Sequence, residues 1–158
     1  MKARDTNVKY MLNIVPNWEQ MIQMANDGNS YIFFDHIEND YKFMVRLGGM
    51  SLVAYIGIRK DLLDKYETSY PHYNSDTLND ISCHGGFTFN GEFMNNDRDD
   101  TIQDYYYYGW DYGHYGDALL HRFSSGIHPA KDDHKWLVPE VVQEGFEVLE
   151  QFKRKYKR

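Results

Sequence analysis

A helical pattern of apolar residues lies near the amino-terminus, and three segments with the pattern of β-strands follow it. One face of the predicted helix carries Trp18, Met21, Ile22 and Ala25. Asn17 precedes that run and can cap it, while Gln20 can complete a capping box. Gly28 is suited to end the helix. The sequence therefore predicts a first helix between Asn17 and Gly28.

The three following segments have the composition of strands and are separated by turn residues. Residues 31–37, 41–47 and 51–58 are rich in the β-branched, aromatic and other apolar side chains that strands favour. Asn39-Asp40 and Gly48-Gly49 are turn dipeptides between them. Short turns between consecutive strands predict an antiparallel meander.

The middle of the chain alternates polar loops with short β-prone segments. Residues 60–79 are polar and predict a functional loop that holds one short helical turn at 61–66. Residues 90–104 are acidic and predict an exposed loop. Short strands are predicted at 81–84, 87–89 and 105–110, the first two of them separated by a pair of glycines.

A second amphipathic helix is predicted from about residue 139 to residue 156. Pro139 suits the first helical position, and Glu140 near the start and Lys153 near the end match the helix dipole. The buried stripe of this helix is Val142, Gly145, Leu149, Phe152 and Tyr156. These patterns predict an α+β fold, an antiparallel β-sheet flanked by an N-terminal and a C-terminal helix, in a single domain spanning residues 1–158.

Composition and charge indicate which kinds of partner and which compartment this protein could have. The chain has 158 residues, 42% of them apolar, and a formal net charge of −7. This acidity argues against a nucleic acid polymer as partner, because such binding needs many basic contacts to phosphates. No apolar run approaches the roughly 18 residues of a transmembrane helix, and the first residues lack the pattern of a secretory signal. With a lone cysteine, Cys83, the sequence predicts a cytoplasmic protein without a membrane partner.

Two glycine-rich segments, residues 84–88 and 109–117, carry the side chains best suited to chemistry. Glycine beside a titratable side chain lets the backbone approach a ligand closely and adopt positive φ. We predict a catalytic set that consists of His84, Asp111, His114 and Asp117. We predict a ligand-binding set that consists of Gly85, Gly86, Thr88, Tyr108 and Trp110.

Several interpretations of these residues stay open. A carboxylate beside an imidazole fixes its tautomer and prepares it for acid–base chemistry. The same side chains suit a divalent metal, although the chain lacks the His-x-x-x-His or Cys-x-x-Cys spacing of recognisable sites. Alternatively, Asp111 and Asp117 accept backbone N–H bonds in a capped loop. Tyr108 and Trp110 either form a stacking wall for a ring or belong to an ordinary strand with alternate side chains in the core.

Other titratable residues have weaker patterns. Cys83 adjoins His84 on a predicted strand, so the two side chains point to opposite faces and Cys83 suits a small buried role. Residues 97–100 resemble part of a calcium loop but lack its glycine and closing glutamate. Four histidines lie in polar segments without diagnostic spacing: His72, His121, His128 and His134.

The glycine-rich segments resemble a family of small uncharacterised proteins of bacteria and their phages. Its pattern combines a Gly-Tyr-Val-Gly-Val-like strand, His-Gly-Gly-Leu-Thr, Gly-Phe-Asp-x-x-His-x-Gly-Asp and a carboxyl-terminal amphipathic helix. The matching parts here are residues 54–58, 84–88, 109–117 and the helix from Pro139, so the resemblance covers about residues 41–152. Tyr70-Pro71-His72 departs from the family's His-Pro loop, and Cys83 stands in place of an aliphatic residue. The resemblance supports the site and implies no particular reaction.

We expect a small hydrolase of the phosphodiesterase type that acts on a nucleotide-like small molecule, with neither a cofactor nor a bound metal. His84 and His114 would be the general acid and base, and Asp111 and Asp117 would orient them. The amides of the glycine pair would contact the anion. Two alternatives stay open, a phage-type anti-defence protein that sequesters a nucleotide immune signal and a metal-dependent hydrolase. A homo-oligomer is compatible with the sequence.

Overall fold

A six-stranded sheet is the centre of the structure, a computed structural model that describes residues 7–66, 78–120 and 133–156. The strands are β1 (Val8–Tyr10), β2 (Ser30–Glu38), β3 (Tyr41–Leu47), β4 (Leu52–Arg59), β5 (Phe89–Gly91) and β6 (Tyr105–Asp111). Their order in the sheet is β1-β2-β3-β4-β6-β5. Neighbouring strands are antiparallel except β1 and β2, which are parallel. The predicted α+β class and the meander from β2 to β4 are confirmed.

The helices also lie close to their predicted positions. They are α1 (Trp18–Ala25), α2 (Lys60–Tyr66) and α3 (Val138–Lys155), and a 3-10 turn spans Ile102–Asp104. The capping box of α1 is present, since Gln20 N donates to Asn17 Oδ1 and Asn17 N donates to Gln20 Oε1, each at 2.8 Å. The first helix therefore begins where its side chains can satisfy otherwise unpaired amides.

The two terminal helices do not sit on opposite faces of the sheet, so the predicted flanking arrangement is only partly correct. Met21 of α1 and Val141 of α3 belong to one core cluster, together with Phe43 of β3. Gly145 lets α3 approach the sheet closely, because a Cβ there would lie 1.9 Å from the Phe43 ring. The helices thus cover a single face, which we call the helix face.

The opposite face of the sheet is covered by part of the segment that we predicted to be exposed. A second core cluster there contains Met44, Ile102 and Tyr107, with Phe93 packed against it. Lys42 is also on this face, and its side chain is 0% exposed. The acidic segment is therefore not simply a solvated loop, because both faces of the sheet carry apolar side chains that need cover.

The short strands predicted at 81–84 and 87–89 are not present as such. Residues 81–88 contain no strand; they form a turn in which Gly85 and Gly86 have φ values of +69° and +81°. β5 begins only at Phe89, and β1 was not predicted. The helical turn at 61–66 is confirmed as part of α2. The rest of the predicted polar loop includes residues 67–77, among them His72, which lie outside the described residues.

Candidate active site

His84 lies in the turn of residues 81–88, just before β5, beside the carboxylate of Asp117. The Gly86 amide donates to the Cys83 carbonyl at 3.1 Å, which closes the turn around His84. Both glycines have positive φ, a conformation that glycine adopts without steric cost and that this tight turn requires. As a result, His84 Nε2 lies 2.8 Å from Asp117 Oδ2 although 33 residues separate them in sequence.

Asp117 is the best buried of the four predicted catalytic residues, at 7% exposure, and donors surround its carboxylate. Besides His84, the His114 amide donates to Oδ2 at 2.9 Å and the Trp136 indole N–H donates to Oδ1 at 2.8 Å. Burial alone would raise the pKa of Asp117, but the hydrogen bonds from His84, His114 and Trp136 outweigh it, so the pKa is lowered. The carboxylate is consequently held ionised next to an imidazole.

A second imidazole–carboxylate pair lies beside the first. His114 Nδ1 is 3.1 Å from Asp111 Oδ1, a close approach without an aligned hydrogen bond. Asp111 is fixed by its other contacts, because it accepts from the Gly113 amide at 3.0 Å and from the Thr88 hydroxyl at 3.0 Å. Asp111 is thereby oriented before any ligand binds.

The two histidines converge, as the sequence predicted. Their ring centroids are 6.3 Å apart and their planes are nearly perpendicular, at 79°. A glycine is required between them, since a Cβ on Gly85 would lie 2.6 Å from the His114 ring. The side chains of His84 and His114 are 24% and 36% exposed, so solvent reaches both.

Aromatic packing fixes the ring plane of His84. The ring stacks on Tyr112, with centroids 4.5 Å apart and planes 13° apart. Tyr112 accepts a hydrogen bond from the Trp110 indole at 3.1 Å and donates to Glu144 of α3 at 3.0 Å. The imidazole of His84 is therefore supported by the core on one side and by a carboxylate on another.

Several predicted ligand-binding residues do not face the two histidines. Tyr108 and Trp110 are 0% and 1% exposed and belong to the helix-face core, so they present no stacking wall to a ligand. The alternation of a strand explains this placement. The Gly86 amide is engaged by Cys83, whereas the Gly85 amide has no partner among the described residues. Thr88 belongs to the site through Asp111.

The weaker candidates divide into three groups. Burial raises the pKa of Cys83 to about 12, which leaves its thiol protonated and a poor nucleophile. His134 lies 2.8 Å from a Glu140 oxygen and packs on Trp136 with centroids 4.3 Å apart. His121 and His128 lie outside the described residues.

The sequence interpretation missed Trp136, which contacts both Asp117 and His84. Its ring centroid is 5.0 Å from that of His84 and 4.8 Å from that of Tyr112. The segment that carries Trp136 is docked by backbone bonds, from Ala118 N to His134 O at 2.8 Å and from His134 N to Gly116 O at 2.9 Å. A tryptophan among polar residues just before a helix was the available signal.

A groove of about 280 Å³ lies next to His84, between the turn and α3. Its lining is Ser82, Cys83, His84, Glu144, Glu147, Val148 and Gln151. Gln151 joins its two walls, since its side chain accepts from Ser82 N at 2.8 Å and donates to Ser82 O at 2.9 Å. Within the described ranges, no three His, Cys, Asp or Glu side chains are grouped to hold a metal ion.

Comparison with known proteins does not indicate a function for this site. Neither a family model, nor a curated protein, nor a solved structure matches the chain. None of the helices in the described ranges has the length and apolar character needed to cross a bilayer. The chemistry must therefore be inferred from the site itself.

Proposed function

We propose that this protein is a hydrolase that cleaves a phosphodiester in a nucleotide-like small molecule by general acid–base catalysis. The supporting observation is the convergence of two imidazole–carboxylate pairs, His84 with Asp117 and His114 with Asp111, whose rings lie 6.3 Å apart. Both rings are solvent-accessible, so a substrate can approach the pair. Paired groups in different environments are the usual arrangement for an acid and a base.

Each imidazole has one nitrogen left for the reaction. His84 Nε2 faces Asp117, which leaves Nδ1, and His114 Nδ1 faces Asp111, which leaves Nε2. Asp117 is the better buried of the two carboxylates and is hydrogen-bonded to His84, so we assign His84 as the acid and His114 as the base.

In the proposed reaction, water attacks phosphorus while His114 takes its proton, forming one P–O bond. One of the two P–O ester bonds of the substrate breaks, and the oxygen of the leaving alcohol takes a proton from His84. Exchange of one proton with solvent then returns both rings to their starting states. Each proton transfer is worth on the order of 10²–10⁴-fold in rate.

The charges near the pair favour a diester over a monoester as substrate. Asp111 and Asp117 lie within the site, and Glu144 and Glu147 line the neighbouring groove. A phosphodiester carries a single negative charge, which one protonated imidazole can balance, whereas a monoester dianion would be repelled more strongly. The Gly85 amide is available to one phosphoryl oxygen.

Capture of a ligand without turnover is the second candidate, and the groove beside His84 favours it. A volume of about 280 Å³ can take part of a nucleotide-sized molecule, and its walls are held in place before binding by Gln151. Under this proposal His84 and His114 would bind the phosphate in the ground state only. An enzyme must instead stabilise the transition state more than the substrate.

One experiment separates the two candidates. The protein is incubated with cyclic mononucleotides, cyclic dinucleotides and ADP-ribose derivatives, then denatured, and the released small molecules are analysed. Hydrolysis predicts altered products that disappear in His84→Ala and His114→Ala. Intact ligand, recovered in stoichiometric amount after tight binding, would support capture and contradict hydrolysis.

A further inference from the structure

A short segment just before α3 completes the candidate site from outside the two glycine-rich motifs. We propose that Trp136 is a positioning residue that acts through Asp117, holding its carboxylate in the orientation that fixes His84. This proposal rests on the proposed acid–base function for its kinetic consequence. The positioning role itself is argued only from the contacts that Trp136 makes.

The contacts of Asp117 divide between its two oxygens. Oδ2 receives His84 Nε2 and the His114 amide, while Oδ1 receives the Trp136 indole N–H at 2.8 Å. Without the indole, only the two bonds at Oδ2 would resist rotation of the carboxylate about its Cβ–Cγ bond. The indole donor at Oδ1 adds a third restraint on the other oxygen, which narrows the orientations in which Asp117 can meet His84.

Trp136 is itself well held. Its ring contacts three others, those of His84, Tyr112 and His134, with centroids 5.0, 4.8 and 4.3 Å away. His134 is tied to Glu140, and the other oxygen of Glu140 accepts from the Leu137 amide at 3.0 Å. The first turn of α3 thus fixes the segment that carries the indole.

The test replaces the indole donor while keeping an aromatic ring. Trp136→Phe and Trp136→Tyr both remove the N–H that reaches Asp117. The matched control is Trp18→Phe, the same change in α1, where the indole has no hydrogen bond among the described residues. Thermal melting establishes that each variant is folded.

The first readout is independent of substrate: the Asp117 side-chain carbon is followed by NMR as pH is varied. Loss of the indole bond removes one of the interactions that lower the pKa of Asp117, so its titration midpoint should rise measurably above that of the wild type. The other titratable groups near Asp117, which must be separated in the spectra, are His84, Asp111, His114, His134, Glu140 and Glu144. The shared proton between His84 and Asp117 should also change its chemical shift.

The second readout is kinetic, with a phosphodiester that the wild-type protein cleaves. Misplacing the acid should lower kcat roughly tenfold while KM stays within about twofold. A raised Asp117 midpoint supports the positioning role even if every substrate tested is left intact, which would overturn only the proposed hydrolysis. An unchanged midpoint and an unchanged proton signal in folded Trp136→Phe and Trp136→Tyr would overturn the positioning role.

Discussion

Two groups of charged side chains among the described residues differ in how deeply they are buried and in how they are paired. At the clamp, which we define as Lys42, Asp35 and Asp99, the ammonium is 0% exposed and lies 2.7 and 2.8 Å from the two carboxylates. At the candidate site, the histidines are 24% and 36% exposed and each keeps one ring nitrogen free of the carboxylate. A cluster built around a buried charge holds a structure together, whereas a more exposed one can exchange protons with a ligand.

The largest expected effect is on catalysis. His84→Ala and His114→Ala should each lower kcat by about 10²–10⁴-fold on a phosphodiester, because each removes a proton-transfer group. The matched control is His36→Ala on β2, where a histidine also lies near a carboxylate, Glu38 at 3.5 Å. Rates are measured by product release. A similar loss in His36→Ala would show that the effect is structural.

The clamp should respond in stability. Lys42→Met leaves two carboxylates without their cation, so the free energy of unfolding should fall by about 3–5 kcal/mol. Lys60→Met is the control, since Lys60 pairs with Glu92 at the surface and its loss should change stability by about 1 kcal/mol or less. Urea unfolding measures both. If the Lys42 variant is as stable as the control, the clamp contributes little.

A pair of glycine variants distinguishes backbone strain from crowding of the site. Gly85→Ala and Gly86→Ala both force a side chain into positive φ, which costs about 1–2 kcal/mol. Only at Gly85 does the added Cβ also meet His114; nothing lies within 4 Å at Gly86. We therefore expect Gly85→Ala to lose more unfolding free energy and more kcat than Gly86→Ala, because only Gly85→Ala adds crowding to the backbone strain. Equal losses of kcat would contradict the proposed role of the close approach.

Acid should weaken both clusters. Burial raises the pKa of Asp99 and of Asp117, but hydrogen bonds from Lys42 and Thr101 at Asp99, and from His84, His114 and Trp136 at Asp117, lower both overall. The pKa of each of these carboxyls is lower in the folded protein than the value of about 3.9 in the unfolded chain. Each therefore stabilises the folded state above about pH 3.9, and this stabilisation is lost as the pH falls through the folded pKa.

The acid dependence can be measured by urea unfolding between about pH 6 and pH 2.5, across the unfolded pKa of an aspartate. Asp99→Asn and Asp117→Asn should each flatten the decline of the unfolding free energy over that range. Of the two variants, only Asp117→Asn should also lower kcat at neutral pH. A decline as steep as that of the wild type in both variants would contradict the lowered pKa values.

The smallest expected effect is that of a chelator. Acid–base catalysis by two imidazoles predicts that EDTA leaves the rate within about twofold of the untreated protein, because proton transfer needs no Lewis acid. Abolition of activity by EDTA, with recovery on addition of Mn²⁺ or Zn²⁺, would instead support the metal-dependent alternative. Rates before and after dialysis against EDTA decide between them.

The sequence by itself determined the elements whose pattern is local. The capping box at Asn17, the strand Tyr41–Leu47 and the helix from Val138 follow from side-chain periodicity, caps and turn residues. The glycine pair next to His84 also pointed to a turn with chemistry, because positive φ is costly for other residues. These features need no information from distant parts of the chain.

Only the tertiary structure decided which distant residues meet. Asp117 accepts from His84, 33 residues earlier, and from Trp136, 19 residues later, and no periodicity encodes either contact. The burial of Tyr108 was set by the helix packed over its strand, since a tyrosine suits either face of a sheet. Long-range packing therefore decided the partners of the site, whereas the glycines that permit its tight turn are visible in the sequence.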